Sequence, residues 1–509
     1  MRKPETRAPL WARLFCLPEQ PGLSIQARLR GVIAQSIFDG RLGAGMLLPS
    51  SRELADVLSL SRNTVTAVYE QLVEQGLLEA RPRRGIFVAA GVAPPRPDTR
   101  ADSDFGPSLG AARAPDWGGR VLRSQRDRPT LAKPEQWQQY PYQFVYGMHD
   151  PELFPTDEFR ECCVRSLSRA QLGRWAPDFE QGDVDVLVEQ VRQRLLPKRG
   201  VFALPEEILI TLGSQHACYL LGEALFNERT RLGFEEPGHP HARNSFALRD
   251  PVMVDLPVDR EGLVLDAMPP VDYVFVTPSH QSPTTRTLSL ERRHWLLRKA
   301  ELQDFVVIED DYEAENLYEG APMPALKSLD GNGRVIYIGS FSKSLSPGLR
   351  LGYIVASRAL ISELRVLRHA QVRHPSTLLQ HACALFLTLG HHEAHARRIN
   401  QVMQERLACA AQALRRHLPA FGFSLPTGGA SIWVEGPDWL DSGELAEVAR
   451  TLGVLIEPGA VFYRRPPYPC PAFRLRLSSI AGAHIEDGVR LLAQAVSQLA
   501  RARGLAVAP

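Results

Sequence analysis

The residues best suited to chemistry lie between positions 340 and 353, where Ser340-Phe341-Ser342-Lys343-Ser344 runs on to Ser346-Pro347-Gly348-Leu349-Arg350 and Gly352-Tyr353. The lysine follows an apolar, strand-like run, Val335-Ile336-Tyr337-Ile338. Its amine can form a Schiff base with an aldehyde, while small hydroxylated neighbours and the forked guanidinium of Arg350 suit a phosphate. Pyridoxal 5'-phosphate (PLP) has both groups. It asks a protein for a Schiff-base lysine, an anion at the pyridine nitrogen, donors for the phosphate and a flat surface over the ring. Ile308-Glu309-Asp310-Asp311-Tyr312 supplies acids at the end of a predicted strand and a phenol for the ring hydroxyl; either Glu309 or Asp310 could face the nitrogen. Leu212-Gly213-Ser214-Gln215-His216 follows another strand and opens a helix, whose first N–H groups suit a phosphate. Ser340, Ser342 and Arg350 complete that anion site. A Gly-Ser-Gln after a strand is weak evidence alone, and acids at a strand end are commonly a metal or solvated site. The spacing of Ser-x-Ser-Lys, Gly348 and Arg350 is the specific part.

A second set of residues suits nucleic acid. Leu48-Pro49-Ser50-Ser51-Arg52-Glu53-Leu54-Ala55 leads to Leu60-Ser61-Arg62-Asn63-Thr64-Val65. Ser50 with Glu53 is a capping-box pattern, and Ser61 caps a further helix that carries Val65, Val68, Leu72 and Val73. The first turn of such a recognition helix enters the major groove, so Ser61, Arg62, Asn63, Thr64 and Thr66 are the expected readers of base edges and phosphates. Arg52 and Tyr69 are placed to hold the DNA backbone. Arg83 or Arg84, in a basic turn between two short strands (77–80 and 85–88), could reach the minor groove or phosphates. With an earlier amphipathic helix through Ile25, Leu29, Val32, Ile33 and Ile37, capped by Ser24 and stopped at Asp39-Gly40, the order is helix, helix, helix, hairpin: a winged helix-turn-helix.

A chain of 509 residues exceeds what one core organises. The net charge is only +2, but Met1 to Ala90 holds 12 Lys and Arg against 8 Asp and Glu, a local +4. That fits a small reading head on a near-neutral body. Residues 91–139, with seven prolines and few large aliphatics, read as a linker. From about 140 to 505, short apolar strands (208–210, 252–254, 273–276, 305–308, 335–338) alternate with helix-length segments, which implies a mostly parallel sheet covered on both faces. Ligands of such sheets sit beyond the carboxyl ends of the strands, where the polar motifs fall. A smaller α/β portion ends in Phe473-Arg474-Leu475-Arg476-Leu477. Seven scattered cysteines without C-x-x-C spacing read as reduced thiols. No signal-peptide pattern or bilayer-length apolar run is present, so a cytoplasmic protein is expected. His391 and His395, four apart on a helix, lack a third ligand and read as a solvated face rather than a metal site. Trp433 reads as a strand residue near the pocket.

The 20–90 segment resembles the GntR family of bacterial regulators, through Leu48-Pro-Ser-Ser-Arg-Glu-Leu-Ala, Ser61-Arg-Asn-Thr-Val, Tyr69-x-x-Leu72 with Gly76, and Arg84-Gly85-x-Phe87-Val88. The remainder is similar to fold-type I aminotransferases, and the whole chain to the MocR subfamily of GntR regulators. Further matching motifs are Leu153-Phe154-Pro155, Thr277-Pro278-Ser279-His280-Gln281 and Leu290-Glu291-Arg292-Arg293. The resemblance implies a multidomain chain: an α+β winged head, an α/β fold-type I PLP domain and a small C-terminal α/β subdomain. It implies Lys343 as the internal aldimine, Asp310 as the pyridinium partner, Tyr312 on the ring hydroxyl, and Ser214, Gln215, Ser342 and Arg350 around the phosphate. It further implies Arg474 as the carboxylate anchor of an amino-acid effector, with His241 as a second effector-binding residue, and a domain-swapped, head-to-tail homodimer. The chain departs from the family at His239, where an aromatic usually stacks on the cofactor, and at Ser282, where aminotransferases place an asparagine. Gly-x-Pro-x-Gly before Gln190 is replaced by Glu180-Gln181-Gly182-Asp183-Val184-Asp185.

The expected function is therefore a DNA-binding transcription regulator that senses an amine or amino acid through an external aldimine at Lys343. Ser282-Pro-Thr-Thr is similar to the branch that controls taurine or ectoine catabolism; other amine catabolism and vitamin B6 metabolism remain open. The alternative is a catalytically active class I/II aminotransferase with an appended DNA-binding head, and a third reading makes the large domain a dimerisation module only.

Overall fold

Two compact units, Met1–Leu122 and Arg123–Pro509, divide the chain. The computed structural model describes residues 11, 14–15, 17, 23–90, 116–121, 128–146, 150–178, 182–313, 315, 318, 323–341 and 345–505. In the first unit, α1 (Ile25–Phe38), α2 (Ser51–Leu58) and α3 (Arg62–Glu74) precede the hairpin β1 (Leu78–Arg81) and β2 (Gly85–Val88). Each helix begins as its sequence dictates: the hydroxyls of Ser24, Ser50 and Ser61 accept from the N–H groups of Ala27, Glu53 and Thr64. Leu29, Ile33 and Ile37 of α1 meet Leu54 of α2, Val65, Val68 and Leu72 of α3, and Leu78 and Val88 of the hairpin in one core. Leu47 pairs with Phe87 in an isolated bridge, and Leu48 N–H donates to the Ile86 carbonyl, so the segment before α2 runs beside the hairpin.

The larger unit is built on an eight-stranded sheet. In chain order its elements are β3 (Ile208–Thr211), α4 (Ser214–Leu225), β4 (Arg231–Glu236), α5 (Pro240–Phe246), β5 (Val252–Asp259), β6 (Gly262–Leu263), β7 (Tyr273–Val276), α6 (Leu290–Gln303), β8 (Val306–Asp310), β9 (Val335–Ser340) and β10 (Gly352–Val355). The spatial order is β3-β10-β9-β8-β7-β4-β5-β6. Pairing is parallel from β9 through β8, β7 and β4 to β5, whereas β10 runs antiparallel to both neighbours. Alternate residues feed cores on opposite faces: Ile208, Ile210 and Tyr337 on one side, Leu209, Ile336 and Ile338 on the other. This two-sided burial is why the strands read as continuous apolar runs rather than alternating ones.

Helices α7 (Arg358–Val372), α8 (Thr377–Thr388) and α9 (His391–His417) lead to a smaller sheet of β11 (Gly422–Phe423), β12 (Ser431–Glu435), β13 (Glu457–Pro458) and β14 (Ala472–Arg476), ordered β11-β12-β14-β13 and antiparallel. α9, α10 (Ser442–Thr451) and α11 (Ile485–Ala502) share its core with Ile432, Val434, Phe473 and Leu475.

The expected linker extends too far along the chain. Trp137 is buried against Val145 and Leu455, Pro129 accepts from the Asn244 amide, and Lys133 donates to the Tyr146 carbonyl, so residues 128–139 pack as part of the large unit. Residues 116–121 hold a one-turn helix capped by Asp116, and 91–115 and 122–127 lie outside the described residues. The face of α9 that carries His391 and His395 is not solvated either: His395 is buried and His391 half-buried, while the neighbouring His392 is buried with its Nε2 3.3 Å from Glu315. Among the described residues no group of His, Cys, Asp and Glu could hold a metal ion, every cysteine is free, and no helix is long and apolar enough to cross a membrane.

Candidate functional site

The ends of β3, β4, β7, β8 and β9 converge on one edge of the large sheet, and the residues that follow them surround one cavity of about 130 Å³. Ser214 and Gln215 reach it from the start of α4, His239 and His241 from the segment after β4, Ser282 from the loop after β7, Asp310 and Tyr312 from the end of β8, and Ser340 from the end of β9. Arg350 closes one side, and Arg474 on β14 enters from the smaller sheet. Ten of the residues singled out in the sequence thus line one space. Lys343 and Ser342 lie outside the described residues.

One end of the cavity is an anion site by construction. Gly213 precedes α4 with φ +82° and has no side chain to cap the 12-residue helix, so its first N–H groups face outward without a side-chain acceptor. Arg350, itself at φ +50°, lies across that turn and donates to the Leu212 carbonyl at 3.0 Å. A Cβ at Gly213 would come within 3.1 Å of the guanidinium, and one at Gly352 within 2.9 Å of the Gly213 Cα. Both glycines are therefore required for this close approach.

The choice between Glu309 and Asp310 follows from the strand's alternation. The buried Glu309 carboxylate accepts from the N–H groups of Leu326 and Lys327, at 2.8 and 2.9 Å, whereas Asp310 lines the cavity. Asp311 is also committed: its Oδ2 accepts from Arg199 Nε at 2.7 Å and from the Tyr337 hydroxyl at 3.0 Å. Burial pushes its pKa up, but Arg199 holds it below the usual carboxylate range. Burial keeps the Tyr312 phenol protonated well past its ordinary pKa. Asp310 and Tyr312 are thus the polar groups of this strand end that line the cavity.

The other walls are set by buried networks. Glu235, near the end of β4, accepts from Thr277 N–H at 3.1 Å, the Thr277 hydroxyl at 2.6 Å and the Gln281 amide at 3.3 Å. Gln281 also donates to the Pro237 carbonyl and accepts from Thr284, so one cluster fixes both the His239 turn and the Ser282 loop. His239 does more than present a flat ring. Its Nδ1 accepts from Ala242 N–H at 3.1 Å and caps α5, which places the ring proton on Nε2. Arg474 Nε donates to the buried Glu457 at 2.6 Å, its Nη1 lies 3.5 Å from the Ser282 hydroxyl, and its guanidinium lies over the Phe462 ring. Burial raises the Glu457 pKa, yet Arg474 outweighs it and keeps the carboxylate ionised. The outer edge of Arg474 is left toward the cavity.

Sequence reasoning missed Tyr146, Leu131, Cys218, Ala242 and Arg476 in the lining. Arg476 was legible, because positions i and i+2 of a strand share a face with Arg474. It is tied to Glu313, Ser431 and Ser478, so it acts as a strut. Tyr146 and Leu131 belong to no motif and arrive through packing of the segment that precedes the first long helix of the large unit.

In the smaller unit, Arg52, Ser61, Arg62 and Asn63 are exposed at the starts of α2 and α3, Thr64 and Thr66 are half-buried, and Arg83 and Arg84 are exposed at the wing tip, with Arg83 at φ +60°. Tyr69 is a correction. It is 2 % exposed and its hydroxyl donates to the Pro49 carbonyl at 2.9 Å, so it locks α3 to the start of α2 rather than reaching for a phosphate.

Residues 25–88 match the bacterial regulatory proteins of the gntR family, and residues 184–494 match the class I and II aminotransferases. The HTH-type transcriptional regulator TauR of Rhodobacter capsulatus is 38% identical over 483 residues, covering 95% of this chain and 98% of that one. The probable rhizopine catabolism regulatory protein MocR of Rhizobium meliloti is 31% identical over 407 residues, 80% of each chain. This chain belongs to the MocR subfamily of GntR regulators. The large unit of this MocR-type regulator resembles the solved α-aminoadipate aminotransferase LysN of Thermus thermophilus, crystallised with N-(5'-phosphopyridoxyl)-L-leucine, at 29% identity and a TM-score of 0.68 over 76% of this chain and 97% of that one. The kynurenine aminotransferase of Pyrococcus horikoshii gives 26%, 0.69, 76% and 98%. A winged helix-turn-helix head and a fold-type I aminotransferase domain are therefore joined in a transcription regulator.

Proposed function

We propose that this MocR-type regulator binds PLP in the cavity beyond the strand ends and senses an amine or amino acid there, changing how its head holds a double-stranded DNA operator. The observation that carries the reading is that an uncapped helix start, Ser340 and Arg350 line the same cavity as Asp310 and Tyr312. That donor set fits a phosphate and a pyridine ring. Lys343, two positions beyond the described Phe341, would supply the amine that ties the cofactor to the chain. When bound, PLP supplies a carbonyl that an amine effector can exchange onto.

The chain's own residues do the rest. Ser214, Gln215, Ser340, Ser342 and Arg350 orient the phosphate. Asp310 holds a proton on the pyridine nitrogen, and the protonated Tyr312 donates to the ring oxygen. His239, with its tautomer fixed by the α5 cap, lies against the ring with Nε2–H as a donor. Ser282, held by the Gln281 network, orients Arg474, and Arg474 with His241 binds an acidic group on the effector. Arg52, Ser61, Arg62, Asn63, Thr64, Thr66, Arg83 and Arg84 read the operator. We propose a cytoplasmic, domain-swapped homodimer as the working form, with the reading head spanning 20–90 and the effector domain running from about 128 to 505.

The test is direct. The full chain, supplied with PLP, should show the absorbance of a lysine-bound pyridoxal, lost in Lys343→Ala, and amines should change both that spectrum and binding to the protein's own upstream DNA. An unchanged spectrum on adding PLP overturns the reading. Ordinary steady-state turnover with an amino donor and a keto acid would favour a working aminotransferase instead.

A further inference from the structure

Most of the cavity's lining stands on regular elements: the strand ends, the start of α4, the capped start of α5 and the strand that carries Arg474. The remaining wall is different. Leu131 lies in a segment without regular secondary structure, residues 128–133, which in sequence follows the reading head and the linker. Arg128 donates to the Ala247 carbonyl at 3.0 Å, Pro129 accepts from Asn244 at 2.8 Å, and Lys133 donates to the Tyr146 carbonyl at 2.5 Å. Beyond Lys133 the chain is anchored by the buried Trp137, whose ring also receives the Lys133 ammonium 4.5 Å from its centroid. Before Trp137, a few side-chain bonds and one inserted leucine hold the segment down. Such lightly held stretches open first.

We propose that residues 128–133 form a strap whose seating on the cavity reports occupancy to the reading head. The inference rests on the cavity being the effector site. Leu131 packs on the cluster of Trp433, Phe462 and Ala472, and Phe462 is the ring over which Arg474 lies, at 4.7 Å. An acidic group bound at Arg474 therefore brings the effector's body beside Leu131. That contact exists only when the strap is seated, so the effector favours the seated form by the free energy of the contact. Seating fixes the chain at Arg128, to which the linker from the head runs in sequence.

The probe is N-(5'-phosphopyridoxyl)-L-alanine, a stable conjugate of the cofactor with an amino acid, added to the full-length protein. Hydrogen exchange in the peptide spanning 128–133 should slow roughly threefold or more with the conjugate and far less with PLP alone. Leu131→Ala should weaken the conjugate about tenfold relative to PLP. Lys133→Met, outside the cavity lining, should speed exchange in the strap without ligand and abolish the conjugate's effect on binding to the upstream DNA. Conjugate that binds, seen by quenching of tryptophan fluorescence, yet leaves strap exchange unchanged overturns this inference and spares the proposed function. Failure of both PLP and the conjugate to bind overturns both.

Discussion

At the scale of single residues, the alternation of side chains along a strand decides between neighbours that sequence could not separate. Glu309 and Asp310 are chemically alike, yet one accepts from the backbone of a following helix and the other lines the cavity. Asp310→Asn should remove a charge-assisted hydrogen bond to the cofactor, about 2 kcal/mol or roughly thirtyfold in PLP affinity by equilibrium titration. Glu309→Gln should leave the affinity near wild type and lower the unfolding midpoint instead; equal losses of affinity would contradict the assignment. In the head, Tyr69→Phe should cost about 1 kcal/mol of stability through the lost bond to Pro49, with operator affinity unchanged where the variant is folded. Arg62→Ala should do the reverse, and lose roughly 1–3 kcal/mol of discrimination between operator and scrambled duplex in a binding titration.

At the scale of elements, the sequence was most legible where local chemistry alone sets a boundary. Ser24, Ser50 and Ser61 cap the three head helices, and the strand at 273–276 matches its predicted span, because caps and uninterrupted apolar runs act over a few residues. What escaped depended on distant partners. β4 went unread because Gly233 and the terminal acids break its pattern; only neighbours on both sides make Arg231–Glu236 a central strand. Residues 128–139 read as linker because Pro129 and Pro134 continue the composition of the preceding segment, whereas Leu131 and Trp137 pack on residues more than 300 positions away. The site was legible wherever it follows a strand end, and illegible at Tyr146. Gly213 joins the two levels, since its conformation opens α4 and its missing Cβ admits Arg350. Gly213→Ala should cost about 1–2 kcal/mol of backbone strain and displace the guanidinium. PLP affinity should therefore fall while inorganic phosphate ceases to compete; retained competition in a phosphate titration would place the anion elsewhere.

At the scale of the whole molecule, two sets of charges answer to different variables. The head's local excess of +4 faces salt, and its exposed arginines should make operator affinity fall steeply with ionic strength. The large unit answers to pH. Glu235 is buried on β4 beside hydroxyl and amide donors, with no cation at its carboxyl among the described residues, and burial pushes its pKa up to about 7. A carboxyl that stays protonated longer in the folded state than in the unfolded chain supports folding most at low pH. Its contribution is present in full below the ordinary value of 4.5 and is lost as pH rises through about 7. The shift corresponds to about 3 kcal/mol, the net of burial, which raises the value, and the Thr277 and Gln281 donors, which lower it. Glu235→Gln keeps the size and a donor-acceptor head without the charge, so the variant should lose less stability than wild type between pH 5 and pH 8. The urea midpoints of the two proteins should differ most at the alkaline end, in favour of glutamine. The same substitution disturbs the network that holds Ser282, so amine binding at pH 8 should weaken even as the fold gains. A variant whose stability follows the wild-type pH profile would mean that Glu235 is ionised throughout, and that the loop it ties together is fixed by charge rather than by a shared proton.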